Sequence, residues 1–402
     1  MIVATSTLEL GIDVGDLDRV IQLGAPATVA SLLQRVGRTG RRPGTARNCL
    51  FLATRDSELL QALALVRLAR EEWVEPLVPP PKPVHLVAQQ LLARSLSEGP
   101  IGSTDWPGAL KRVFWADGVD PNLAVEVLDF MVAESMLVDE AGVVAIGPEG
   151  ERQFGRRNFM DVLSLLLSEP LLDVRWGRRE LGSVDPGVVV PREPGQRAVF
   201  LLGGRPWAVR QVDWEQRLAW VEPSDDPGRS RWAGEGRALS RKVCEAQRAV
   251  LVGAGDADGV TQRARSRLGD LRDEIGDVPA RGTWLVHDAR ANRSWWWTFA
   301  GARANRHLAA GLTTSGHRVG AVDDLRLAVD PRWKRTAPTP TELAAAPPPP
   351  LDDRQLEAIK FASAVPRTHL AAMTDARDAD PAAVRAVAKA PIRRTHRRRA
   401  PR

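Results

Sequence analysis

Residues 2–42, IVATSTLELGIDVGDLDRVIQLGAPATVASLLQRVGRTGRR, limit what this chain can fold into more than any other stretch. They hold two blocks, ATSTLELGID at 4–13 and QRVGRTGR at 34–41. Between the blocks, the apolar run 19–23 reads as a buried strand, followed by a turn at Pro26 and a short helix. The order is strand, loop, strand, loop, helix, and then a loop rich in Gly and Arg. Gln34, Arg38 and Arg41 are spaced by four and three residues, which puts them near one face of a helix running out into that loop. Gly37 and Gly40 remove side-chain bulk and permit unusual backbone angles, so the guanidinium groups can be aimed. Two converging guanidinium groups suit an anion, because each grips phosphate oxygens in a fixed fork. In phosphoryl transfer such an arginine finger is worth roughly 10³–10⁵ in rate. In the first block Gly11 allows close backbone approach, and Asp13 offers an acceptor suited to a ribose hydroxyl. Thr5 and Ser6 at a strand end suit a nucleic-acid phosphate. The bland alternative is a basic surface loop beside an ordinary core strand.

The paired blocks resemble motifs V and VI of superfamily 2 helicases. TSTLELGIDVGDLDRVIQ followed by SLLQRVGRTGRR is most similar to the Lhr-type (large helicase-related) proteins, a DEAD/DEAH-box ATP-dependent group. The resemblance implies that Thr5 and Ser6 lie along the nucleic-acid backbone. It implies that Gly11 and Asp13 belong to the ATP site, with Asp13 at the ribose and the interdomain contact. Gln34 becomes a γ-phosphate neighbour, and Arg38 and Arg41 become the arginine fingers. ATP and Mg²⁺ follow as cofactors, single-stranded DNA or RNA as the partner, and DNA repair as the setting. The family also needs a G-x-x-x-x-G-K-[ST] loop and a D-E-x-[HD] box, and neither pattern occurs in this sequence. The chain is therefore expected to be the C-terminal portion of such an enzyme, inactive as an ATP hydrolase alone and working with an N-terminal helicase half chain. The alternative is a standalone nucleic-acid-binding protein with vestigial motor motifs. No metal-ligand set is expected.

A length of 402 residues allows two to four domains. The formal charge of +6 favours an acidic partner, nucleic acid first. The two cysteines, Cys49 and Cys244, have no metal-ligand spacing and give no disulfide framework, which fits a cytoplasmic protein. No signal peptide and no long uncharged apolar run is apparent, so no membrane partner is expected. Tryptophan is abundant, 13 against 8 Phe and no Tyr. Its flat face fills cores and also stacks on bases.

Taken in order, the chain reads as multidomain α/β plus α+β. A partial RecA-like helicase C-terminal domain is expected over 1–75, then a Pro-rich linker over 76–83. Residues 84–157 carry helical periodicity at 85–96, 105–115 and 121–134 and a small hairpin, the winged-helix pattern. Residues 158–334 read as a β-rich, barrel-like domain with a helical insertion, and GRRELGSV and FLLGGRPWAVRQVDWEQRLAWVEP in it resemble the Lhr-type core. Trp232, in a polar Gly/Arg loop, is the tryptophan best suited to stack on a base. WWWTFAGARANRHLA at 295–309 resembles the family's T-F-A-G-x-x-A-N segment. Its helix N-terminus behind Gly301 suits a phosphate, with Arg303 and Asn305 adding contacts, or else Asn305 serves as a structural cross-link. A Pro/Ala-rich linker is expected at 335–350, terminal helices within 351–390, and a disordered basic tail at 391–402.

Overall fold

A computed structural model describes residues 17–78, 81–102, 120–155, 158–163, 171–190, 197–214, 216–226, 238–253, 259–288, 292–330, 339, 342–343, 351, 353–357 and 359–397. The chain divides into two compact units. The first comprises Met1–Arg152, Arg237–Glu357 and Phe361–Arg402, and the second Gln153–Gly236 with Ala358–Lys360.

The first unit starts with β1 (Val20–Leu23), α1 (Val29–Val36), β2 (Cys49–Leu52) and α2 (Asp56–Arg70). β1 and β2 pair in parallel, Val20 opposite Cys49 through Leu23 opposite Leu52. Strand alternation puts Val20, Gln22, Cys49 and Phe51 on one face and Ile21, Leu23, Leu50 and Leu52 on the other. The first set is half-buried, whereas the second is exposed, with Ile21 at 61% and Leu23 at 70%. α1 is short, and its N-terminus is held from three sides. Thr28 Oγ1 accepts the Ser31 N–H at 3.1 Å. Glu75 reaches back from beyond α2 and accepts the Val29 and Ala30 N–H groups at 2.9 and 3.1 Å. A carboxylate there satisfies free backbone donors and meets the positive end of the helix dipole.

Downstream come α3 (Val84–Ser97), β3 (Ile101–Gly102), α4 (Pro121–Ala133), β4 (Leu137–Glu140), β5 (Val143–Ile146) and α5 (Pro148–Phe154). β3, β5 and β4 form a three-stranded antiparallel sheet in that order. The helix expected at 105–115 lies outside the described residues.

The second unit holds β6 (Leu172–Trp176), β7 (Arg179–Val184), β8 (Val199–Leu202), β9 (Arg205–Asp213) and β10 (Leu218–Pro223). Their spatial order is β7-β6-β10-β9-β8, antiparallel except for β6 with β10. Leu172, Val174, Phe200, Trp207, Ala219 and Val221 cover one face as its core. The sheet curls into a half-barrel, so that a Cβ built on Gly182 of one edge strand would sit 3.8 Å from Leu202 Cδ1 on the other.

The chain then returns to the first unit with α6 (Arg241–Leu251), α7 (Gln262–Ile275), β11 (Thr283–Asp288), β12 (Arg293–Trp297), α8 (Ala302–Thr314), β13 (Val319–Val322) and β14 (Arg326–Val329). α9 (Asp353–Glu357), α10 (Arg367–Asp378), α11 (Pro381–Lys389) and β15 (Ile392–Arg397) complete it. The five-stranded sheet β13-β14-β12-β11-β15 is covered on both faces. Trp284, Trp297 and Phe299 pack with α6, α7 and the apolar stripe Leu60, Ala64, Leu65 and Leu68 of α2. Leu285, Trp296 and Leu327 pack on the other side with Leu308 of α8 and Val384 of α11. The run Trp295–Trp297 thus serves both faces. Trp296, 0% exposed, points one way, and Trp295 and Trp297 point the other, with the Arg326 guanidinium 4.1 and 4.6 Å from their ring centroids. The arginines of α6 and α7 are partly internal. Arg248 donates to Gly282 O at 2.8 Å, and Arg272 to Val250 O at 2.7 Å, at the end of α6. Arg267 of α7 donates twice to the Asp56 carboxylate of α2, at 2.8 and 2.7 Å.

Two expectations are corrected. Residues 158–334 are not one domain, because 238–330 share a core with α1 and α2, a long-range burial that local periodicity does not encode. The tail is ordered through Arg397, because β15 pairs in parallel with β11 and Thr395 Oγ1 accepts the Trp284 Nε1–H at 2.8 Å. The expected linker at 335–350 lies almost wholly outside the described residues, but Leu343 within it is buried.

Two outcomes follow. Glu75→Ala is expected to lower unfolding stability by about 1–2 kcal/mol, the usual scale of a lost helix cap, as read by urea denaturation. An unchanged midpoint would remove Glu75 from the support of α1. The second concerns acid. Arg267 holds the Asp56 carboxyl below its ordinary range. The Thr54 N–H and Arg55 hold Glu58 down to about 2, from 4.5 when unfolded. Groups depressed in the folded state contribute stability that is full above their unfolded values and is lost as pH falls through the folded ones. Stability is therefore expected to drop between about pH 5 and about pH 2, and to drop less in Glu58→Gln. An equal drop in parent and variant would refute the assignment.

Candidate nucleotide and nucleic-acid site

The Gly/Arg loop is built by the short helix that precedes it and the strand that follows. α1 ends at Val36, and Gly37 donates its N–H to Leu33 O at 2.8 Å. A Cβ on Gly37 would lie 2.9 Å from that same oxygen, which explains glycine there. Thr39, buried within the arginine loop, is its anchor. Its hydroxyl donates to Val36 O at 2.8 Å and accepts the Asn48 N–H at 2.9 Å, joining the end of α1 to the approach of β2. Leu17 donates its N–H to Arg38 O at 3.0 Å and bridges Thr39. Gly40 has φ +67°, and a Cβ there would meet Arg47 N at 2.7 Å, so both conformation and space require glycine.

On this frame Gln34 is exposed near the end of α1, Arg38 is half-buried, and Arg41 is exposed. Arg41 Nε donates to Gly37 O at 3.0 Å, folding the side chain back over the helix end. Arg35 donates to Gln22 Oε1, fixing α1 against β1. The loop thus presents one amide and two guanidinium groups from a backbone tied at both ends, a donor set that matches phosphate oxygens. Among the described residues, no group of three or more His, Cys, Asp or Glu is placed to hold a metal ion.

Thr5, Ser6, Gly11, Asp13 and Trp232 lie outside the described residues. Arg303 is exposed in the first turn of α8. Asn305 is 0% exposed. Its Oδ1 accepts the Thr298 hydroxyl at 2.5 Å, and its Nδ2 donates to Asp323 O at 2.8 Å. The helix N-terminus expected to hold a phosphate already carries a carboxylate of this chain. Asp324 Oδ1 accepts the Ala302 N–H at 3.0 Å and the Leu239 N–H at 2.9 Å. Burial pushes the Asp324 carboxyl up, against the lowering effect of those two N–H groups. The phosphate contact expected of Asn305 therefore gives way to the cross-link that was its alternative, because the enclosed amide is spent within the fold.

Sequence reasoning passed over Thr28, Thr39, Glu75 and Asp324. Thr28 had a local signal, a hydroxyl residue just before a helical run. Thr39 sits inside the arginine motif and was overshadowed by it. Glu75 and Asp324 act at sequence separations that carry no periodic mark.

Comparison with known proteins follows these features. Residues 1–43 match the helicase conserved C-terminal domain. The Lhr helicase/uracil glycosylase of Escherichia coli (strain K12) is 30% identical over 264 residues, 61% of this chain and 17% of that protein. The Lhr helicase/probable uracil glycosylase of Mycolicibacterium smegmatis is 25% identical over 73% of this chain and 21% of that protein. The ATP-dependent helicase Lhr-Core protein 2 of Thermococcus barophilus is 25% identical over 76% of this chain and 38% of that protein. The chain therefore spans well under half the length of these relatives. In fold it resembles the Mycobacterium smegmatis helicase Lhr solved with ssDNA and AMP-PNP, with a TM-score of 0.65 and 18% identity over 97% of this chain and 56% of that one. In sequence and in fold the chain is similar to the C-terminal portion of Lhr-type superfamily 2 helicases, from the conserved helicase C-terminal domain onward.

Proposed function

We propose that this chain is the C-terminal part of an ATP-dependent DNA or RNA helicase, supplying arginine fingers and nucleic-acid-binding domains to a motor completed by an N-terminal helicase half. The observation that carries the reading is the doubly tied arginine loop. Thr39 and Gly40 fix its backbone, and Glu75 and Thr28 fix the helix that leads into it. In this reading Arg38 and Arg41 grip the γ-phosphate oxygens, and Gln34 lies beside them. Gly11 and Asp13 approach the ribose, and Thr5 and Ser6 follow the strand backbone. ATP, when bound, supplies the phosphoryl group whose hydrolysis drives movement. The donor set of the loop fits its phosphates, and among the described residues no group of three or more His, Cys, Asp or Glu is placed to hold Mg²⁺. The open apolar face of Ile21, Leu23, Leu50 and Leu52 supports a further motor element seated against it, since such a face is seldom left to water.

Helices α3 and α4 against the β3-β5-β4 sheet support a winged-helix module that contacts the strand or duplex. α10 is tied to these helices by the His85 ring against Met373 Sδ at 3.1 Å and by His369 to Glu126 at 2.7 Å. A role in DNA repair rests on the family resemblance alone. No helix among the described residues is long and apolar enough to cross a membrane.

The test is a titration of the chain with labelled single-stranded DNA and RNA while ATP turnover is followed in the same samples. Binding without turnover is expected. Four neutralised phosphates would weaken binding about fiftyfold between 50 and 200 mM salt. Strand-stimulated turnover by this chain alone would refute the division of labour. Absence of strand binding would sink the reading. With an N-terminal motor half added, Arg38→Ala is expected to cut turnover by roughly 10³-fold or more and to leave strand affinity almost unchanged. Full turnover with that substitution would leave a standalone binding protein with vestigial motifs as the better account.

A further inference from the structure

We propose that the β6–β7 hairpin of the second unit is a stacking site for single-stranded nucleic acid, with Trp176 as the platform for one base and Arg178 and Arg179 on the adjoining phosphates. The inference rests on the reading above, that the chain binds a single strand. It names a contact that neither the arginine loop nor Trp232 accounts for.

The hairpin reads Arg175, Trp176, Gly177, Arg178, Arg179, Glu180. Gly177 has φ +59°, the left-handed angle a two-residue turn needs at its first position, and this sets Arg178 at the tip. The pairing slips between Val174 and Arg175, so that Val174 faces Gly182 while Arg175 faces Glu180. Such a bulge re-aims the side chains beyond it. Its effect is visible in burial, because Leu172 and Val174 are enclosed while Arg175 and Trp176 are both exposed. Trp176 keeps one contact with the core, a tilted packing on Trp207 with ring centroids 5.6 Å apart. Trp207 is itself anchored, its Nε1–H donating to Leu202 O at 3.1 Å. The result is an indole steadied from behind and 44% exposed.

Two further features set this tryptophan apart. Arg179 stands directly across the ladder from it. Arg175, Arg178 and Arg179 make no side-chain hydrogen bond or ion pair among the described residues, whereas Arg197 and Arg210 of the same sheet both engage Glu222. Of the hairpin's two carboxylates, Glu180 pairs with none of them there, and Asp173 accepts the Ser183 hydroxyl at 3.0 Å. Trp214 is 56% exposed but lies between Asp213 and Glu215 in sequence, a poor setting for phosphate. An exposed indole beside unneutralised guanidinium groups matches a polyanion whose bases are unstacked and free, which is a single strand rather than a duplex.

The test uses the full chain with a labelled oligothymidylate and an abasic strand of equal length. Trp176→Ala is expected to weaken oligothymidylate binding about tenfold and to leave the abasic strand nearly unaffected, whereas Trp176→Phe keeps most of the affinity. The double substitution Arg178→Ala with Arg179→Ala is expected to lower the salt slope by about 1.4 on both strands. Since both arginines are exposed at a turn, this variant carries the test should Trp176→Ala unfold the sheet. Parent-like affinity in Trp176→Ala, an equal loss on both strands, or an unchanged slope in the arginine variant would overturn the proposal while leaving the wider reading intact. A parent chain that binds neither strand would overturn both.

Discussion

Burial of one stripe of α2 against α6, α7 and the tryptophan face of the C-terminal sheet is the contact on which the first unit depends. Leu60, Ala64, Leu65 and Leu68 come from the segment that follows the arginine loop, and Val243, Cys244, Val250, Trp284 and Trp297 come from far downstream. Each Leu or Val side chain among them is worth about 1.5–3 kcal/mol when removed from water. The Asp56–Arg267 pair at the rim adds direction to this contact, because a two-pronged guanidinium–carboxylate bond fixes orientation as well as distance. The short sheet of β1 and β2 therefore does not stand as a small separate domain. It is one wall of a core built mostly from later sequence.

That arrangement bears on the arginine loop. A loop that must hold guanidinium groups still needs a backbone that does not wander, and glycines alone would make it loose. Thr39 and Glu75 supply the restraint. The first ties the loop to the strand after it, and the second ties the helix before it to the chain leaving α2. Conformational freedom at Gly37 and Gly40 and restraint at Thr39 are two halves of one design.

Much of this was legible in the residues, for stated reasons. Helices α2, α3, α4, α6 and α7 follow apolar periodicity, and the hairpin of β8 and β9 follows from two consecutive glycines between apolar runs. What was not legible depends on partners distant in sequence. The WWW run gave no reason to expect helices on both sides of its strand. The structure instead encloses Trp296 completely. Asn305 looked like a phosphate contact because its neighbourhood, a glycine before a helix, is a common anion site. The chain fills that site itself with Asp324, which sits beyond α8 and β13 in sequence. β15 was hidden by its composition, since IRRTHR has the charge of a tail and only the pairing with β11 makes it a strand.

The place of β15 carries a consequence for how the chain is made. Thr283 pairs with Ile392, so β11 stays an edge until the last strand arrives. Synthesis runs from the N-terminus, and parallel pairing across a long loop is slow to form. During that interval the backbone donors and acceptors of β11 are open to any passing strand. The nascent protein is therefore most exposed to misassembly after the arginine loop, α2 and the tryptophan strands have all been made. The edge of β11, rather than the arginine loop, is the backbone left without a partner in that interval.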